Sequence, residues 1–213
     1  MLFVHDNISD IISYQGGLYM SAVIAVCGIN YTLIAGDSRV VSYENGQLSG
    51  VVSETYKKVH RINDSLCVGF TGDYRGACHM SQALSELDAG LLDMAQLAEA
   101  LYTQASSFEL GDLPLNILIA GKESNGVFAI IEMMSDEDFS PTIYAGYEGY
   151  HQVRCALPVN DDPIILEQIK QRVDRLATAR TLDDMKSKVV NLIKNIASKN
   201  ETVNKNIVVE IIT

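Results

Sequence analysis

Ser21 stands sixteen residues before Asp37 in SAVIAVCGINYTLIAGDSR, with Met20 directly in front of it. A chain that begins at Ser21 carries a hydroxyl and a free α-amine on one residue, a nucleophile with its own general base and no need of a histidine. An α-amine has an unperturbed pKa of about 7.7–8.0, so it accepts a proton near neutral pH without a large shift. With residues 1–20 attached, the same serine is only a polar residue entering a strand. Lys58 beside such a serine favours loss of the hydroxyl proton and deters protonation of the amine. Asp37 would hold that lysine charged and oriented. Gly72 precedes Asp73, where a strand gives way to a helix, and its N–H can face an anion there. Each residue alone is commoner as a turn or surface group; their joint spacing carries the signal.

The elements that must position these residues are legible from hydrophobic patterning. Val23–Val26 and Leu33–Ala35 are short apolar strand runs with Gly28-Ile29-Asn30 as the turn between them. Ser42 to Gly50 is polar and reads as a loop. Val51-Val52 and Lys58–Ile62 open a second pair of strands that Leu66–Phe70 completes. Helices are predicted from Asp73, from the cap candidate Asp93, over Pro163–Ala179 and over Leu182–Ser198, where Met185, Val189, Leu192, Ile193 and Ile196 form one stripe. Strands are predicted at Leu115–Ala120, Val127–Met133, Thr142–Ala145 and Ile207–Ile212. This order suits an α+β fold of two antiparallel sheets between helical layers, with strands apolar on both faces.

The bulk numbers agree with one full-sized domain: 213 residues, 47% hydrophobic, mean hydropathy +0.10. A net charge of −11 excludes a nucleic-acid binder, whose partner needs a basic face. Cys27, Cys67, Cys78 and Cys155 lack CxxC spacing and read as reduced thiols. His60, His79 and His151 lack metal-ligand spacing, so neither metal nor cofactor is expected. The first twenty residues have no Lys or Arg and no long apolar stretch, which is not a secretory signal. No run approaches a membrane span. A soluble, cytoplasmic protein is expected.

Three blocks resemble the proteasome β-type family of N-terminal nucleophile (Ntn) hydrolases, which includes the HslV-like peptidases. SAVIAVCGINYTLIAGDSR is similar to the family's first hairpin, VVSETYKKVHRI to the segment with its lysine, and SLCVGFTGDYRGA to the strand leading to its oxyanion glycine. The resemblance puts the nucleophile on Ser21, the acidic turn on Asp37-Ser38-Arg39, the lysine on Lys58 and the oxyanion glycine on Gly72. About five extra residues fall between Asp37 and Lys58. The implied fold is a four-layer αββα sandwich over residues 21–213, with 1–20 an extension, either a propeptide or an upstream segment that is not translated. The implied activity is cleavage of peptide or other amide bonds through an acyl-enzyme, with Val40, Tyr56 and Phe70 near the substrate pocket. The resemblance further implies a homo-oligomeric ring and admits an ATPase unfoldase as partner. A small-molecule amidohydrolase and a non-catalytic ring-forming homologue are the alternatives.

The pattern also departs from the family. Ala145-Gly146-Tyr147-Glu148-Gly149-Tyr150 has no serine where the family carries one in a Gly-Ser-Gly-like turn; Tyr147 or Glu148 would be the substitutes there. Asn200 and Val203 stand where the family often has Asp and Ser. Met20 is bulky where family precursors tend to place glycine, but methionine before serine suits removal by an aminopeptidase. Gln15-Gly16-Gly17 can be encoded by CAAGGAGGN, a ribosome-binding sequence just upstream of the Met20 codon. The expectation is therefore that translation starts at Met20.

Overall fold

The computed structural model describes residues 17–44, 47–88, 91–110, 113–157 and 163–213. At the centre, β2 (Val23–Gly28) and β3 (Tyr31–Gly36) form a hairpin in which every residue is buried. Burial on both faces explains why both read as unbroken apolar runs. With β11 (Gln152–Ala156) and β12 (Val208–Ile212) they make a four-stranded antiparallel sheet in the order β11-β2-β3-β12. One face of it, with Ile24, Val26 and Leu33, packs on Val173, Met185 and Ile193 of α3 (Pro163–Leu176) and α4 (Leu182–Ala197). The other face, with Val23, Ala25 and Ile34, meets Cys67, Leu118 and Ile130 of a larger sheet.

Among the described residues, that larger sheet has eight strands. It contains β1 (Gly17–Met20), β4 (Val40–Glu44), β5 (Gln47–Ser53), β6 (Val59–Arg61), β7 (Leu66–Asp73), β8 (Leu115–Lys122), β9 (Phe128–Met134) and β10 (Thr142–Ala145). Its outer face is covered by α1 (Tyr74–Glu86) and α2 (Met94–Ser107), where Val68, Phe70 and Ile117 pack on Met80, Leu97 and Leu101. The layers are therefore αββα, as expected. The starts of α1, α2 and α4 are capped by side chains that accept backbone N–H groups. Asp73 accepts from Arg75 N, Asp93 forms a capping box with Gln96, and Thr181 accepts from Asp184 N. Among the described residues, no helix is long and apolar enough to cross a membrane.

One expectation is corrected, and two strands add to the predicted elements. The polar stretch Ser42–Gly50 is not a loop. It belongs to the β4–β5 hairpin, whose register shifts between Val40 and Val41 and between Ser42 and Tyr43; residues 45 and 46 lie outside the described residues. Val51 and Val52 consequently belong to that hairpin, and among the described residues three hairpins, not two, precede α1. The half-buried strand β11 is an addition to the predicted elements. Finally, Gly17–Met20 of the extension is a strand, held on one side by β4 and on the other by β7.

Candidate active site

The larger sheet brings the candidate residues together through register. β8 occupies one edge of β7 along Leu66–Gly72, so β6 and β1 share the opposite edge, end to end. β6 pairs with Cys67–Gly69, and Phe70 N donates to Lys58 O at 3.0 Å. β1 pairs with Gly72 and Asp73 through Met20 and Tyr19. Ser21 follows Met20 where the chain leaves this sheet to begin β2. The register thus leaves Ser21 and Lys58 at the two ends of the gap between β1 and β6, with Gly72 opposite Met20.

Gly72 has φ +92°, and a Cβ there would stand 1.8 Å from Pro114 O. Only glycine fits this backbone. Asp73 N next to it donates to Pro114 O at 2.8 Å, which fixes the strand-to-helix junction.

Asp37 ends β3 opposite the start of β2: its N–H donates to Ala22 O at 3.2 Å. Its carboxylate is fully buried and receives four donors. Oδ1 accepts from Lys58 Nζ at 2.5 Å and Ala22 N at 3.2 Å; Oδ2 accepts from Arg39 N at 2.8 Å and Asn204 N at 3.2 Å. Lys58 is also fully buried. Burial pushes its ammonium below the usual lysine range, and the Asp37 carboxylate opposes that shift. Ser21 has no exposed surface, and its Oγ donates to Thr202 O. Its nitrogen, bonded to Met20, is an amide and has no basic lone pair.

A polar clasp around this core was not read from the sequence. Asn204 Oδ1 accepts from Ser38 N at 3.1 Å, while its Nδ2 donates to Glu54 O at 2.9 Å and Glu54 Oε2 at 2.7 Å. Arg39 reaches Glu54 with Nε and Nη2 and Glu201 O with Nη1, so it braces the turn. These partners, Arg39 first, hold the Glu54 carboxyl below its usual value. Asn200 Oδ1 accepts from Thr202 N at 2.9 Å and Thr202 Oγ1 at 2.6 Å, fixing the residue whose carbonyl meets Ser21. Val203 is buried and apolar.

Of the pocket candidates, Val40 stands opposite Met20 in the β1–β4 register, Phe70 N donates to Lys58 O, and Tyr56 N donates to Ser38 O at 2.9 Å. The side chains of Val40 and Phe70 are fully buried in the core beneath α1 and α2, with Tyr56 half-buried against them. Tyr147 and Glu148 lie far from Ser21. Gly146 packs on Gly28 O at the opposite end of β2, and seven residues of strand span about 20 Å. The chain returns towards Ser21 along β11, where Ala156 stands opposite Val23. The Gly146–Gly149 turn therefore offers Ser21 no support; residues 158–162, which follow β11, lie outside the described residues.

No protein-family model and no curated protein matches the sequence. Solved structures do. Eukaryotic HslV from Trypanosoma brucei aligns with a TM-score of 0.59 at 14% identity, over 90% of this chain and 99% of its own. Anbu, the ancestral β-subunit, from Yersinia bercovieri aligns at 0.65 and 16% identity, over 90% and 81%. Anbu from Pseudomonas aeruginosa, solved as a helical assembly, aligns at 0.66 and 15% identity, over 90% and 80%. The chain has the fold of HslV and Anbu. At these identities the likeness covers the arrangement of elements, so the chemistry rests on the residues described above.

Proposed function

We propose that this chain is an N-terminal-serine amide hydrolase that cleaves extended peptides, active once Ser21 is the first residue. Ser21 Oγ attacks the carbonyl, the freed α-amine accepts its proton, and the Gly72 N–H stabilises the oxyanion. Lys58, held by Asp37, favours the alkoxide and keeps the amine neutral. The tetrahedral adduct then collapses: the C–N bond breaks and the leaving amine takes the proton from the α-ammonium. Water hydrolyses the Ser21 ester to release the acid and restore the hydroxyl.

One observation carries this reading. A stretch of peptide, Gly17–Met20, already lies antiparallel between β4 and β7 and delivers its carboxyl end, the Met20–Ser21 bond, between Gly72 and Lys58. A one-strand slot beside a buried lysine–aspartate pair is how a peptide bond would be offered to this serine. Burying such a pair stabilises a fold little compared with apolar packing, which favours a chemical role.

The test is turnover of a fluorogenic peptide panel by the chain that starts at Ser21. Peptides should be cleaved in preference to simple acyl amides, and Ser21→Ala should abolish cleavage with assembly intact; retained turnover refutes the assignment. Cleavage of the simple amides alone would favour the small-molecule amidohydrolase. A non-catalytic reading is favoured by the buried, apolar Val203 in place of a polar support. The Anbu likeness, one member of which is a helical assembly, supports self-association, and a stable monomer in sedimentation would count against it.

A further inference from the structure

Backbone pairing on both sides of a slot is blind to sequence, so any choice among peptides must come from side-chain subsites. In the β1–β4 register Tyr19 stands opposite Val41, Leu18 opposite Ser42 and Gly17 opposite Tyr43. Val41 and Tyr43, two apart, share one face of the strand. Tyr43 faces a glycine across the pair, so its ring can lean diagonally towards Tyr19. The two rings meet edge to face, with centroids 6.2 Å apart and planes at 88°, a favoured aromatic geometry. Both residues are half-buried, and burial raises the Tyr43 phenol above its ordinary value. Tyr43 also sits on the hairpin that holds the chain's extra residues.

We infer that Tyr43 is a specificity-determining residue, forming an aromatic subsite for the residue two positions before the scissile bond. The preferred substrates are then extended peptides with an aromatic side chain at that position. This rests on the peptidase reading of the slot. An edge-to-face pair accounts for a preference of about two- to twelve-fold over alanine.

The test has two arms. In the full-length chain, amide exchange of β1 is followed in Tyr19→Ala, Tyr43→Ala and the double variant. Either single change should accelerate it by that factor and the second should add little; additive effects overturn the pairing. In the chain starting at Ser21 and carrying Ser21→Ala, labelled Gly-Leu-Tyr-Met and Gly-Leu-Ala-Met are compared by fluorescence anisotropy. The tyrosine peptide should bind about two- to twelve-fold tighter, and Tyr43→Leu, which keeps bulk without a ring, should erase the difference. A difference that persists in Tyr43→Leu, or no difference in the parent, overturns the subsite. Failure of Ser21 to react with an electrophile while the tyrosine preference holds defeats the catalytic reading and leaves the subsite standing. Failure of both peptides to bind defeats the slot and the subsite together.

Discussion

Replacing Asp37 by asparagine should destabilise the chain more than replacing Lys58 by methionine. The Asp37 carboxylate receives two donors on each oxygen. An asparagine in either flip turns one oxygen into an NH2 group and points it at two donors. It also leaves the Lys58 ammonium, with no exposed surface, without a counter-charge. Removing one partner of a buried pair costs about 3–5 kcal/mol, and the donor clash places Asp37→Asn at the upper end. In Lys58→Met the carboxylate keeps three backbone N–H donors and the stem volume is largely retained, so the cost falls to about 2–3 kcal/mol. In a chain of this size each kcal/mol lowers Tm by about 2–4 °C. Urea unfolding of the two variants and the double variant measures the order. A larger loss for Lys58→Met, or a loss under about 1 kcal/mol for Asp37→Asn, would refute the reasoning.

Further outcomes follow from the same geometry. Gly72→Ala forces a Cβ onto Pro114 O at a positive φ and should cost about 3 kcal/mol or more, read by chemical denaturation; a variant as stable as the parent would contradict the junction described. Burial lowers the imidazoles of His60 and His151 below their usual 6.5. The unfolded chain then binds more protons just below pH 6.5, so Tm should fall as pH drops through that window. His60→Leu should flatten the fall. The uncut chain should show no turnover, because an amide nitrogen cannot serve as the base; peptidase activity from a chain still carrying Met20 would exclude the α-amine mechanism.

The elements that carry the candidate site were legible in the sequence because they have strong patterns. β2, β3 and β7 are buried on both faces, so they read as apolar runs, and Asp73 and Asp93 cap the helices they precede. What escaped shares a physical cause. β5 and β11 lie at sheet edges, where half-exposed strands need no apolar pattern. The first half of β5, up to Gly50, and Gln152–Ala156 therefore resemble loops. β1 is a strand because two neighbours pair with it, and four residues carry no such signal alone. The clasp joins Asn204 to Ser38 and Glu54 across 166 and 150 positions, and polar contacts at that distance have no periodicity. Thr202 acts through its carbonyl, which every residue type possesses. The distance of Tyr147 and Glu148 from Ser21 was not legible, because a glycine-bounded turn gives no indication of which end of the sheet it occupies.

The central claim is that Ser21, once free, is a live nucleophile with its own amine as base. A peptide epoxyketone tests both groups together, since its ketone takes the hydroxyl and its epoxide takes the amine. The chain starting at Ser21 is incubated with the reagent, and the adduct is located by tandem mass spectrometry. One adduct per chain on Ser21 is predicted, absent from Ser21→Ala and from the uncut chain. An unmodified Ser21 in a folded chain with a confirmed free amine would contradict the account.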